Sequence, residues 1–161
     1  MPERNPPTWV YKGTRPATDE AYLENLTRCI FQAGLSWQLI ARKWPDFRRA
    51  FHHFDVGKIA GYGPQDIARL AADVTIIRNR QKILATIHNA REFERIKQET
   101  GGFQSWLDTL DKSNNYHIVV SRLRSRFKRV GPGTAHIFLW SVGESIEYDP
   151  SVHTRRPTKI V

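Results

Sequence analysis

Apolar residues recur at spacings of three and four along this chain, and no segment alternates apolar and polar side chains with a period of two. The spacing of three and four places the apolar residues of a segment on one face of a helix. A half-buried strand needs the alternation that is missing here. The sequence therefore predicts an all-α fold.

Length and composition are those of one compact domain. The chain has 161 residues, of which 40% are hydrophobic and 25% charged. A fold of this size buries roughly 70% of the surface of its unfolded chain, which suffices for a core. We expect an extended N-terminal segment at 1–17, a helical domain at 18–149 and a C-terminal tail at 150–161.

Capping residues indicate where the first helices begin and end. Thr18 is followed by two acidic residues and is predicted to cap the first helix. Gly34 is predicted to end it, and Ser36 to cap the next. Pro45 is predicted to open a separate short helix.

The longest helical pattern begins at Ile76 and stops at Gly101 and Gly102. Asn79, Arg80 and Lys82 stand near its start, where they are predicted to cap or stabilise the helix. Arg78 or Arg80 is a candidate contact for a ligand. Its apolar stripe is predicted to consist of Ile83, Leu84, Ile87 and Ala90.

Two helices joined by a tight glycine-rich turn are predicted at 117–143, which is the pattern of a helix-hairpin-helix motif. The turn is "VGPG", from Val130 to Gly133. The predicted buried residues of the two helices are Val119, Val120, Leu123 and Phe127, then Ala135, Phe138, Leu139 and Val142.

The hairpin turn is a candidate anion site. Backbone N–H groups of Gly131, Gly133 and Thr134 lie at a helix N-terminus, where the helix dipole favours negative charge. Basic residues precede the turn, namely Arg126, Lys128 and Arg129. These features predict binding of a DNA phosphate. The alternative is an ordinary turn that needs glycine only for its geometry.

The net charge of +9 also favours nucleic acid as the partner. A basic protein without such a partner is the alternative. No stretch approaches the ~20 apolar residues of a membrane span, and no signal peptide is evident, so we expect a soluble cytoplasmic protein without a membrane partner. The single cysteine excludes an internal disulfide and a Cys-x-x-Cys metal site.

Three segments resemble DNA-3-methyladenine glycosylase I, a family of helix-hairpin-helix DNA glycosylases. They are "FQAGLSWQLIARKWPDFRRAFHHFDVGKIA", "IIRNRQKILATIHNARE" and "FKRVGPGTAHIFLWSVG", within Phe31–Gly143. The resemblance implies an all-α glycosylase fold that flips a damaged base out of the duplex. It further implies a monofunctional hydrolase that excises an alkylated base in base excision repair, acts on damaged double-stranded DNA, and needs no obligatory protein partner.

The resemblance assigns roles to the break between the first two helices. Gly34 and Leu35 match the segment that enters the gap left by the flipped nucleotide. Trp37 matches an aromatic residue that stacks on the base, and an indole face favours a cationic methylated base. The alternative for Trp37 is a core residue. Base-pocket positions are Trp37, Cys29, Gln32 and, through the weaker match at Thr8–Val10, Trp9.

Two departures from the family pattern concern the pocket and the metal. Cys29 stands where the family has a pocket glutamate, and a thiol cannot pair with a cationic base as a carboxylate does. Pro7 and Tyr148 stand at family zinc-ligand positions, so the zinc site is predicted absent and no cofactor is expected.

Asp149 follows Gly131 by 18 residues, close to where many helix-hairpin-helix glycosylases carry a catalytic aspartate. A carboxylate there stabilises positive charge on the sugar. The alternative is that Asp149 and Pro150 only form a turn. Two alternative functions stay open: a non-catalytic DNA-binding protein on the glycosylase scaffold, and a glycosylase for a different lesion.

Overall fold

The computed structural model describes residues 15–147 and 149–152, and these residues form α-helices and no strand. The all-α prediction is therefore confirmed. The helices are α1 (Asp19–Gln32), α2 (Trp37–Ala50), α3 (Val56–Ala60), α4 (Pro64–Ala72), α5 (Arg80–Thr100), α6 (Phe103–Thr109), α7 (Ser113–Arg126) and α8 (Pro132–Ser141). None of these helices is long and apolar enough to cross a membrane.

The predicted caps are present at three helix starts. The hydroxyl of Thr18 accepts a hydrogen bond from the backbone of Ala21, and that of Ser36 accepts one from Leu39. Asn79 caps α5 in the same way. Each cap satisfies a backbone N–H that has no partner inside its helix, so these starts are encoded locally.

The prediction for Pro45 is wrong, because this proline lies inside α2 rather than at the start of a new helix. Its ring removes one backbone hydrogen bond, which normally breaks a helix. Here Trp44 and Phe47, on either side of it in sequence, are fully buried and stack with ring centroids 4.8 Å apart. Their burial offsets the lost hydrogen bond and keeps the helix continuous.

The apolar stripe predicted for α5 needs one correction. Ile83, Ile87 and Ala90 are buried, but Leu84 is 39% exposed. Each residue turns about 100° around a helix, so the stripe through 83, 87 and 90 leaves position 84 at its margin. The buried faces predicted for α7 and α8 are confirmed.

The helix α5 occupies the centre of the fold and packs against α1, α3, α4 and α6. Two groups of contacting aromatic residues lie in the core, and the second includes Phe93 of α5 itself. One includes Phe31, Trp44, Phe47, Phe51 and Phe54, and the other includes Phe93, Phe103, Trp106, Phe127 and Phe138. This packing brings the start of α5 to the end of α1 and to the turn between α7 and α8.

A cluster of charged residues ties the segment before α1 to the segment after α8. The buried carboxylate of Glu144 lies 3.2 Å from Arg15 and 2.9 Å from Lys112, and it accepts a hydrogen bond from Tyr116. Asp108 pairs with the same two cations, and its hydrogen bonds from Arg15 are the main cause of lowering its pKa to about 2.

We expect Glu144→Gln to lower the free energy of unfolding by about 2 kcal/mol, because it leaves two cations without their buried counter-charge. Urea unfolding followed by circular dichroism measures this. The control is Glu147→Gln, the same change at an exposed position nearby. Equal effects of the two changes would exclude a special role for the cluster.

Candidate functional site

An open groove of about 730 Å³ lies where three parts of the chain meet. They are the turn between α1 and α2, the start of α5, and the end of α7 with the hairpin turn. The residues that line it include Ala33, Leu35, Lys82, Arg124, Arg129 and Gly131. The groove therefore joins the two motifs that the sequence analysis singled out separately.

The turn between α1 and α2 presents Leu35 at the groove. Gly34 has a φ of +83°, in the left-handed region that other residues rarely adopt. Leu35 donates its N–H to the carbonyl of Gln32 at 2.7 Å, and the Gln32 amide donates to the carbonyl of Leu35 at 3.0 Å. These bonds turn the chain back so that Ser36 can begin α2.

Lys82 supports this turn from α5. Its Nζ donates to the carbonyl oxygens of Phe31 and Ala33, each at 3.1 Å, and the residue is only 6% exposed. Burial, together with the nearby charge of Arg129, lowers the pKa of Lys82 below its usual value.

The hairpin is attached to α5 by a buried amide. Asn89 is completely buried; it accepts a hydrogen bond from the N–H of Lys128 at 2.9 Å and donates to its carbonyl at 3.3 Å. Arg129 follows in the left-handed region at φ 63° and donates to Gln81 of α5. Gly131 caps α8, so the N–H groups of Gly133 and Thr134 lie in the first turn of that helix.

The groove carries positive charge. Lys82, Arg124 and Arg129 line it, and none of its described lining residues is acidic. Lys128 and Arg80 are exposed at the hairpin and at the first residue of α5. The arrangement offers several cations and a helix N-terminus to one anionic ligand, which suits a chain of phosphates.

Arg126 differs from the other basic residues of the hairpin. Its guanidinium donates to Glu92 at 2.9 Å and to both carboxylate oxygens of Glu99, at 3.0 and 2.8 Å. It also lies 5.6 Å from the ring centre of Trp106. A phosphate would have to displace these carboxylates from Arg126. We therefore assign the predicted phosphate contact to the other basic residues of the hairpin and not to Arg126.

Trp37 is the first residue of α2 and is 1% exposed. It is therefore buried in the structure, and it is not one of the described residues that line the groove. Gln32 lies at the end of α1, and Trp9 lies outside the described residues.

Cys29 lies inside the apolar core and is 1% exposed. Burial raises the pKa of its thiol to about 12, against the opposing effect of a hydrogen bond with Ser141. The thiol is therefore neutral at physiological pH and offers no negative charge where the family pattern places a carboxylate.

Asp149 lies in the segment after α8 and is half-buried. Its Oδ1 accepts hydrogen bonds from the N–H and the hydroxyl of Ser151, at 2.9 and 2.7 Å. Its charge also acts on His136 of α8, whose pKa is nevertheless lowered because burial is the larger effect. Asp149 thus forms a turn with Ser151, and its negative charge interacts with His136 of α8.

The predicted absence of zinc stays a prediction. Pro7 and Tyr148 lie outside the described residues. Among the residues that are described, no group of three or more histidine, cysteine, aspartate or glutamate side chains could hold a metal ion.

Sequence reasoning missed the roles of Asn89, Arg124 and the supporting bonds of Lys82. For Asn89 the sequence does carry a signal, because a polar residue in the buried stripe of a helix needs hydrogen-bond partners elsewhere in the fold. For Lys82 the signal was weaker, since a lysine beside an apolar stripe is usually exposed.

The family model for methyladenine glycosylase matches residues 9–126. DNA-3-methyladenine glycosylase 1 of Escherichia coli is 45% identical over 67 residues, which are 42% of this chain and 36% of that protein. The matched segment thus spans about a third of the length of that relative.

Solved structures resemble the whole described fold. A crystal structure of 3-methyladenine DNA glycosylase I aligns with a TM-score of 0.71 at 29% identity, over 81% of this chain and 82% of that one. A 3-methyladenine DNA glycosylase I from Staphylococcus aureus aligns over 92% of both chains with a TM-score of 0.73. At 24% identity, the second likeness concerns the fold alone.

Proposed function

The chain belongs to the methyladenine glycosylase family, and from that premise we propose that it excises 3-methyladenine or a similar alkylated base from duplex DNA. The reaction is hydrolysis of the N-glycosidic bond, which leaves an abasic site for base excision repair. The observation that carries the proposal is the cationic groove between Leu35, Lys82 and the hairpin. Its action on DNA would place the protein in the cytoplasm, with the nucleoid if the host is bacterial.

In this proposal the groove holds the DNA backbone. Arg124, Lys128 and Arg129 neutralise phosphates, and the N–H groups of Gly133 and Thr134 bind one phosphate oxygen. Arg80 contacts the backbone from the start of α5. None of these contacts identifies a base, which suits a protein that surveys DNA for rare damage.

Leu35 and Trp37 act on the damaged nucleotide. Leu35 enters the stack as the damaged base leaves, and so offsets part of the stacking free energy that is lost. Trp37 stacks on the extruded base, and Gln32 is a second residue of the base pocket. A methylated adenine carries positive charge, and an indole face binds a cation more strongly than a neutral base.

Asp149 is proposed to assist the chemical step. As the C1′–N bond breaks, the sugar acquires oxocarbenium character, and a nearby carboxylate lowers the free energy of that state. The base leaves with the bonding electron pair, water attacks C1′, and the attacking water releases its proton to the solvent. The alternative, that Asp149 only forms its turn with Ser151, predicts no effect of its charge on the rate.

The neutral Cys29 favours one second candidate, a glycosylase for an uncharged lesion. A buried protonated thiol cannot form an ion pair with a cationic base. A pocket without that pair discriminates less between cationic and neutral alkylated bases. The two candidates differ only in the lesion and share the groove and the reaction.

Base release from methylated duplex DNA, resolved by chromatography, tests the proposed function. Release of 3-methyladenine supports the first candidate, and release of only neutral alkylated bases supports the second. Tight binding to the same DNA without release of any base would instead indicate a DNA-binding protein on the glycosylase scaffold.

Arg129→Ala is expected to weaken binding to all DNA sequences equally. One phosphate contact fewer should reduce the slope of log affinity against log salt by about 1. Fluorescence anisotropy with duplex DNA at several salt concentrations measures both quantities.

The control for this change is Lys97→Ala, which removes one exposed cation at the other end of α5. That residue is about 22 Å from Lys82 along the helix axis. If the two variants had the same salt slope, Arg129 would not belong to the DNA contact.

A further inference from the structure

We propose that Lys82 is a positioning residue, which holds the turn between α1 and α2 so that Leu35 can enter the DNA stack. The inference rests on the proposed function, and it adds a residue to which neither the family match nor the sequence assigns this task. Lys82 acts on DNA only through the turn.

The geometry supports this role because both acceptors of Lys82 belong to the segment that bears Leu35. The ammonium bonds the carbonyls of Phe31, in the last turn of α1, and of Ala33, directly before Gly34. Carbonyls at the end of a helix have no partner within it and carry the negative end of the helix dipole. A buried ammonium group donates hydrogen bonds to these carbonyls and also neutralises the negative end of the helix dipole.

Lys82 supplies hydrogen bonds from another helix to a turn whose middle residues are exposed. Ala33 and Gly34 are exposed, and Gly34 lacks the Cβ that limits backbone motion. Gln32 bonds to Leu35 within the same segment, so it shapes the turn without attaching it to the rest of the fold. Lys82 belongs to α5, the central helix, and attaches the turn to a rigid element.

A direct phosphate contact by Lys82 fits the geometry less well. The residue is 6% exposed and its ammonium is directed at two backbone carbonyls, whereas Arg124 and Arg129 are exposed in the same groove. The groove thus has exposed cations suited to DNA and one buried cation bonded to the turn.

Lys82→Met tests the proposal, because methionine keeps a similar length and removes the charge and the donors. Excision is measured on one methylated oligonucleotide, as a duplex and as a single strand, under single-turnover conditions. We expect duplex excision to slow by roughly tenfold to a hundredfold, since a misplaced group costs rates of this order. Single-strand excision should not change, because no stacked duplex has to be opened.

Arg124→Met is the matched control, since it removes one cation from the same groove. We expect it to weaken DNA binding and to reduce the salt slope. Lys82→Met should instead leave the salt slope unchanged and slow the saturated rate on duplex DNA. If both variants lost affinity for DNA and kept the saturated rate of the wild type, Lys82 would be a phosphate contact. That result would overturn the proposal.

A double-mutant cycle with Leu35→Ala adds a test that a merely structural role would not pass. If Lys82 acts through Leu35, the double variant should be no slower on duplex DNA than Leu35→Ala alone. If the losses of rate in the two single variants multiplied in the double variant, the proposal would be overturned. It would also be overturned if Lys82→Met slowed excision on the single strand as much as on the duplex. If Lys82→Met does not fold, Lys82→Gln, which keeps one donor, replaces it in the cycle.

A second readout separates this inference from the proposed function. A 2-aminopurine placed beside an abasic site reports unstacking by fluorescence and needs no excision. We expect wild-type protein to raise the signal, and Lys82→Met to raise it less at saturating protein. An equal signal from both would overturn the role of Lys82, whereas absence of base release by the wild type would overturn only the proposed function.

Discussion

Changing Asp149 to asparagine is expected to slow base release about a hundredfold and to leave the free energy of unfolding unchanged. Asparagine keeps the side-chain oxygen that accepts the two hydrogen bonds from Ser151, so the turn persists. Only the negative charge is lost, and charge stabilisation of this kind is typically worth a factor of ~10²–10³ in rate. Single-turnover release from methylated duplex DNA, together with urea unfolding, measures both quantities.

The matched control for this prediction is Ser151→Ala, which removes one hydrogen bond of the turn and keeps the carboxylate. We expect this variant to retain excision. Full activity of Asp149→Asn would show that Asp149 only forms the turn. Equal loss of activity in both variants would assign the effect to the shape of the segment rather than to its charge.

Trp37→Ala is expected to abolish excision and also to lower the free energy of unfolding by about 3–5 kcal/mol, since the indole is buried. Because these two effects are confounded, Trp37→Phe is the sharper variant. Phenylalanine keeps an aromatic face but binds a cation less strongly than indole does. We expect it to retain affinity for abasic DNA and to lose selectivity for a cationic base over neutral adenine.

Trp44→Phe provides the comparison, because Trp44 is equally buried and stacks on Phe47 and Phe54 of the apolar core. It should lower the free energy of unfolding and leave selectivity unchanged. If Trp37→Phe behaved in the same way, with selectivity intact, Trp37 would be a core residue and the pocket would lie elsewhere. Thermal unfolding and base-release ratios from mixed substrates decide between these outcomes.

Elements of the fold with a local cause could be predicted from the sequence. The starts of α1 and α2 follow from Thr18 and Ser36, whose hydroxyls bond a backbone N–H three residues away. The end of α5 follows from Gly101, which adopts the left-handed backbone that ends a helix (φ 92°) and that glycine adopts without strain. Pro45 was misjudged because the burial of Trp44 and Phe47, a tertiary effect, outweighs a local helix-breaking preference.

The candidate site was predictable in its parts and not in its assembly. The glycine turn before Leu35 and the hairpin at Gly131 are visible as motifs in the sequence. Their meeting in one groove depends on how α1, α5 and α7 pack, which no short segment encodes. Lys82 could be recognised as the support of the turn only when the distances from its ammonium to Phe31 and Ala33 were known.

The sequence by itself determined the all-α class, the capped helix starts, the turn that presents Leu35 and the basic hairpin, because each depends on residues near one another in the chain. The tertiary structure alone decided which cations face the groove. Arg129 remains exposed there, Arg126 is held by Glu92 and Glu99, and Lys82 is buried against the end of α1. A cation's task depends on which carboxylate or carbonyl comes within about 3 Å of it, and here those partners are 27 to 51 residues away in the chain.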